Sequence, residues 1–153
     1  MSARLEKLRE LGLALPEVAK PLAAYVPAVR TGNLVYVSGQ LPIADGKLLM
    51  TGKVGAEVSV EQAHGLAQRA ALNAIAAAAA EADGIDRITR IVKVTGFVAC
   101  GPEFSAHPQV VNGASELFGQ VFGDAGAHAR AAVGVPSLPL DAPVEIEIVA
   151  EVG

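Results

Sequence analysis

The stretch from Ser59 to Gly84, "SVEQAHGLAQRAALNAIAAAAAEADG", most restricts what this chain can fold into. Ser59 followed three residues later by Gln62 is a capping-box pattern, in which each side chain satisfies the other's backbone N–H. Alanine has the highest helix propensity, and a wall of methyl groups lets a helix approach its neighbour closely. The run therefore predicts a long helix that lies tightly on a sheet. Such a helix needs a flat apolar partner, and the remaining segments must supply it.

They do so in a definite order. Ser2 is positioned to cap a first helix ending near Leu11, with Gly12 and Pro16 beyond it as stop signals. "VRTGNLVYVSG" reads as a hairpin turning at Gly32-Asn33, with a strand over Leu34 to Val37, and Asp45-Gly46 marks a second hairpin tip. "RITRIVKVTGFVA" is rich in branched residues and predicts a strand. "HPQVVNGASELFGQVFG" predicts another helix, with Pro108 in its first turn and Val111, Ala114, Leu117, Phe118 and Val121 on one face. Two C-terminal strands follow. This order predicts an α+β architecture, with helices on one face of a mixed sheet.

Side chains alternate along a strand, which sorts the two terminal strands by face. In the last strand, Val144, Ile146, Ile148, Ala150 and Val152 form the apolar face expected under the helices, opposite Glu145, Glu147, Val149 and Glu151. In the strand before it, Val133 and Val135 share one face, and Arg130, Ala132 and Gly134 share the other. Hydrophobicity alone sends the valines beneath the helices and leaves Arg130 on the open face. That face is small and sparsely charged, which suits water or a neighbouring subunit.

With 153 residues, the chain is expected to be one domain, residues 1–153, with 1–15 as an N-terminal helical extension. Half of it is hydrophobic (52%) and only 18% is charged, which excludes a disordered polymer. A net charge of −4 with six aromatics argues against a nucleic-acid binder. No apolar run suits a membrane span, and the first residues lack a secretory layout. A single cysteine, Cys100, fits a reducing compartment, so a cytoplasmic location is expected. Motifs for a phosphate-cradling loop, a dinucleotide site or a G-x-S-x-G nucleophile are missing, and His64, His107 and His128 lack zinc-site spacing. Cys100 reads as a small buried hydrophobe rather than a nucleophile.

Two segments carry a specific likeness. "HARAAVGVPSLPLDAPVEIEIVAEV" and "YVPAVRTGNLVYVSGQLP" resemble the C-terminal and N-terminal signatures of the RidA (YjgF-like) family of reactive enamine/imine deaminases, formerly called L-PSP endoribonuclease-like. The separations of Tyr25 from Ser38 and of Arg130 from Glu145 match that pattern, and Asn112 occupies its asparagine position. The likeness runs from about Lys20 to the C-terminus. It implies a chorismate-mutase-like fold of the bacterial trimeric type, with three sheets forming a central barrel and sites in clefts between subunits.

The implied reaction is hydrolysis of 2-aminoacrylate-type 2-imino acids to 2-oxo acids and ammonia, with no metal or organic cofactor. Transferred by position, Arg130 grips the substrate carboxylate, while Tyr25, Ser38, Asn112 and Glu145 line the pocket. Glu145 then positions water or moves a proton. The chain departs from the pattern at Ala132, where many members have cysteine, at the longer 104–112 segment, and at His128, commonly proline. Two other readings stand beside this one: a carboxylate-metabolite sensor using the same pocket without turnover, and the ribonuclease of older family names, which the charge balance disfavours.

From the residues themselves, Arg130 fits either a ligand clamp or a structural ion pair. Ser38 could bond its own turn, Tyr25 could be a packed lid, and Asn112 could hold a loop. An extended backbone places His128 on the face of Arg130, although a solvent-facing loop histidine is the simpler expectation.

Overall fold

The computed structural model describes residues 2–153. Helix α1 (Ala3–Glu10) is followed by strands β1 (Ala28–Thr31) and β2 (Leu34–Gln40) and a short hairpin, β3 (Ile43–Ala44) and β4 (Lys47–Leu48). Helix α2 (Val60–Ala82), strand β5 (Ile88–Ala99), helix α3 (His107–Phe122), and strands β6 (Ala129–Val135) and β7 (Val144–Val152) complete the chain. The main sheet runs β1-β2-β7-β5-β6. All its pairs are antiparallel except β5 with β6, so the sheet is mixed, as expected.

The capping box of α2 forms as the sequence predicts. The Ser59 hydroxyl accepts from the Gln62 amide at 3.0 Å, and the Gln62 side chain accepts from the Ser59 amide at 3.0 Å. The helix ends on Asp83 in the left-handed region, followed by Gly84. Its alanines approach both the sheet and α3. At Gly113 a Cβ would collide with the His64 carbonyl of α2, so the two helices meet backbone to side-chain-free backbone there. Helix α1, capped by Ser2, lies against this body. Leu8 is fully buried, Arg4 donates to the carbonyls of Ile85 and Ile88, and its guanidinium lies 4.7 Å from the Phe122 ring centroid.

The alternating face of β7 is as expected: Val144, Ile146, Ile148, Ala150 and Val152 are buried under the helices. In β6 the expected faces are reversed. Arg130, Ala132 and Gly134 look toward α3, while Val133 lies on the open face and is 43% exposed. The cause is close packing by small residues. Gly96, paired with Ala132, has no room for a Cβ because Val111 of α3 fills that position. A helix so near accepts alanine and glycine beneath it and excludes branched side chains. The open face of the sheet carries Val29, Tyr36, Phe97, Val133 and Val149 among Glu145, Glu147 and Glu151.

Candidate functional site

Strand β6 and helix α3 together place Arg130. The strand lies at the sheet edge, with its helix-side residues beneath α3. Asn112 and Ser115 are one helical turn apart and face the same way. Arg130 Nη1 donates to Asn112 Oδ1 at 2.7 Å and to Ser115 Oγ at 3.3 Å. These contacts engage both hydrogens of Nη1 and leave three of the five guanidinium N–H donors, on Nε and Nη2, without a protein acceptor among the described residues. None of the ion pairs among the described residues includes Arg130. A partly buried guanidinium without a carboxylate partner is a binding surface for a planar anion.

Asn112 is therefore a support for Arg130 rather than a holder of its own loop. Ser115 and His128 belong to the same constellation. His128 Nε2 lies 2.8 Å from Ser115 Oγ and its Nδ1 lies 2.6 Å from the Gly126 carbonyl oxygen. The expectation of a solvent-facing histidine is not met: the ring is half-buried, edge-on to Phe118 at 5.7 Å. Nothing in the sequence singles out Ser115 except its three-residue spacing from Asn112.

Tyr25, Ser38 and Glu145 gather elsewhere. Glu145 packs directly on Gly39, where a Cβ would stand 2.6 Å from the Glu145 carboxyl carbon, so β2 needs glycine there. Tyr25, Pro27, Gly39, Gln40, Pro139 and Glu145 line a cleft of about 40 Å³. The Tyr25 hydroxyl accepts from the Leu22 amide at 3.3 Å, and the ring is 45% exposed. The Ser38 hydroxyl donates to the Val26 carbonyl at 2.7 Å, and its amide donates to Pro27. Ser38 thus pins the segment carrying Tyr25 to β2. Burial pushes the Glu145 carboxyl up from the ordinary carboxylate range, and Glu147 on the same face adds to it.

Within one protomer the two groups do not converge. Arg130 pairs with Val94 and faces α3, whereas Glu145, two strands away on β7, pairs with Phe97 on the open face. The fold thus holds the partly buried Arg130 guanidinium and the raised Glu145 carboxyl on opposite sides of one sheet. Cys100 belongs to neither. Its Sγ is 3.5 Å from His107 Nε2, beside a cavity of about 400 Å³, but burial first and Glu103 second push the thiol up, away from thiolate. Among the described residues, no cluster of three or more His, Cys, Asp or Glu is arranged to hold a metal.

The family model described as "YjgF/chorismate_mutase-like, putative endoribonuclease" matches residues 5–152, nearly the whole chain. The chain belongs to the YjgF/RidA family. The matched range begins inside α1. Among relatives, Protein TCP17 of Trypanosoma cruzi is 41% identical over 94% of this chain and 91% of its own length. The 2-iminobutanoate/2-iminopropanoate deaminase of Dermatophagoides farinae is 32% identical over 88% of this chain and 91% of its own. A solved structure from Agrobacterium tumefaciens, a protein with unknown function, superposes with a TM-score of 0.92. It is 46% identical, and the match covers 98% of this chain and 92% of that one. The α+β fold with its mixed sheet is thus the YjgF/chorismate-mutase-like fold, and some members of the family carry the deaminase name.

Proposed function

We propose that the protein hydrolyses reactive 2-imino acids, the tautomers of 2-aminoacrylate-type enamines, to 2-oxo acids and ammonia. The observation that carries this reading is the Arg130 guanidinium, held by Asn112 and Ser115, whose Nε and Nη2 donors have no acceptor and no carboxylate partner among the described residues. A 2-imino acid presents a planar carboxylate of matching geometry, with the reacting carbon directly attached.

The chemistry needs one water, both of whose protons end on nitrogen. Water adds to the imine carbon as one proton passes to nitrogen, giving a carbinolamine. An acid then protonates the amine, the C–N bond breaks to release ammonia, and the hydroxyl returns its proton to the acid's conjugate base as the 2-oxo acid's carbonyl forms. A carboxyl that keeps its proton above the ordinary range is suited to supply that proton, which favours Glu145. Since Glu145 of the same chain lies across the sheet from Arg130, the reading requires a second copy to bring its Glu145 cleft to the first copy's Arg130. We therefore place the activity in a cytosolic homotrimer with intersubunit sites. Tyr25 closes the cleft, and Ser38 and Asn112 contribute by orienting Tyr25 and Arg130.

The test is direct. 2-Iminobutanoate generated in the cuvette by a threonine dehydratase should lose ammonia faster when the protein is added, and Arg130→Met should remove the acceleration. Tight binding of 2-oxobutanoate without any acceleration would replace the enzyme by a sensor of the same ligand class. RNA cleavage abolished by Arg130→Met in a nuclease-free preparation would overturn the reading altogether.

A further inference from the structure

The guanidinium that would grip the substrate is one end of a longer chain of hydrogen bonds, and each link has a definite direction. The Gly126 carbonyl can only accept, so His128 Nδ1, 2.6 Å away, carries the proton. In the neutral ring Nε2 is then an acceptor, and the hydroxyl hydrogen of Ser115, 2.8 Å away, points to it. That orientation turns a lone pair of Ser115 Oγ toward Arg130 Nη1, which donates at 3.3 Å. Asn112 Oδ1 takes the other Nη1 hydrogen. The order is therefore Arg130 to Ser115 to His128 to the Gly126 carbonyl, with no donor facing a donor.

The far end of this chain is rigid. Gly126 closes a helical turn over Gly123–Gly126, and a Cβ there would run into the Phe118 carbonyl of α3. Its own carbonyl is thus fixed against the helix that also carries Asn112 and Ser115. Phe118 from the same helix meets the imidazole edge-on, with an interplanar angle of 82°. A serine inside a helix commonly bonds back to its own helix; here its hydroxyl is drawn sideways instead.

We propose that Ser115 and His128 are positioning residues: a hydrogen-bond chain anchored on Gly126 that holds Arg130 with its Nε/Nη2 edge turned out to a carboxylate ligand. The ligand clause rests on the proposed function; the chain itself does not. An arginine side chain has many rotamers, and fixing one edge in advance removes that ordering cost from binding. A fork held at Nη1 by two acceptors can present only its other edge. Neither Ser115 nor His128 need touch substrate.

The experiment is calorimetric titration of 2-oxobutanoate, the product of the proposed reaction, into the assembled protein and its variants, with melting temperature followed in parallel. Ser115→Ala and His128→Phe should each weaken binding about 10-fold, the loss expected for one hydrogen bond to a charged group. Because both break one chain, the double variant should lose about the same 10-fold rather than their product. Ser115→Thr, which keeps the hydroxyl, should stay within about 2-fold of the parent. A merely structural pair would lower the melting temperature and leave affinity per folded molecule unchanged. His128→Gln stands in if the phenylalanine variant fails to fold.

Failure of the two readings is distinguishable. If Arg130→Met binds like the parent, the carboxylate clamp itself is wrong. If Arg130→Met has lost binding while Ser115→Ala and His128→Phe keep it, the clamp stands and the chain is overturned. Losses that multiply in the double variant, or a Ser115→Thr variant as weak as Ser115→Ala, also overturn it.

Discussion

Arg130 is where two chemistries compete at a single residue: a guanidinium can anchor a ligand or lock a fold. Its helix-side setting decides what each substitution should do. Arg130→Lys retains a charge but cannot reach both Asn112 and Ser115 while presenting a planar edge. A bidentate clamp makes two charge-assisted hydrogen bonds, each worth about 1.5–3 kcal/mol. Both Arg130→Lys and Arg130→Met should therefore lower kcat/KM by about 100-fold or more with a melting temperature close to the parent's; near-native turnover in either would remove Arg130 as anchor. Glu145 gives a pH-dependent case. Its carboxyl is raised by burial and by Glu147, so the folded chain holds that proton more tightly than the unfolded one. The stability this confers is complete below the ordinary carboxylate range and is lost as pH rises through the elevated titration. Urea unfolding across pH should show the parent losing stability relative to Glu145→Gln as pH increases; the opposite slope would mean the carboxylate is stabilised in the fold.

At the scale of elements, most of the fold could be read from local pattern, because caps and turns are local chemistry. The capping box at Ser59 and Gln62, the turns at Gly32-Asn33 and Asp45-Gly46, and the buried alternation of β7 all appear in the structure. The cap makes a clean test. Ser59→Ala should cost about 1 kcal/mol and lower the melting temperature by about 2–4 °C with activity intact, since α2 carries none of the proposed site residues. Gly113→Ala should do far worse, because its methyl meets the His64 carbonyl; a melting temperature within about 2 °C of the parent's would refute the close contact of α2 and α3. What local pattern could not reveal was the inversion of β6. Hydrophobicity ranks Val133 above Ala132 for burial, but the distance of α3 from the strand reverses the ranking, and that distance is a tertiary property. The same blindness hid Ser115 and misjudged His128. Their roles depend on α3 folding back through the Gly123–Gly126 turn onto β6. The residues are close in sequence, but which face of β6 meets the helix is set by tertiary packing, not by any local pattern.

For the whole molecule, the decisive quantity is what covers the open sheet face. Val29, Tyr36 and Val133 are 52%, 49% and 43% exposed there, beside the half-buried Glu145. Exposed branched and aromatic side chains on a flat sheet favour association, whereas the alternating glutamates limit it to partners that meet those charges. The expected assembly is a trimer of about three times 15.6 kDa, measurable by light scattering or sedimentation at micromolar concentration. Tyr36→Glu should break it, because its strand neighbours Val29 and Val149 offer the new carboxylate no cation. The resulting monomer should remain folded, since Tyr36 lies on the face away from the helices and the core. It should still bind 2-oxobutanoate through Arg130, more weakly, because the clamp and its supports lie within one chain. It should not accelerate imine hydrolysis, because Glu145 of that chain remains on the other side of the sheet. A stable monomeric parent with full activity would contradict the shared site, and the proton would then have to come from a group on the Arg130 side of the sheet.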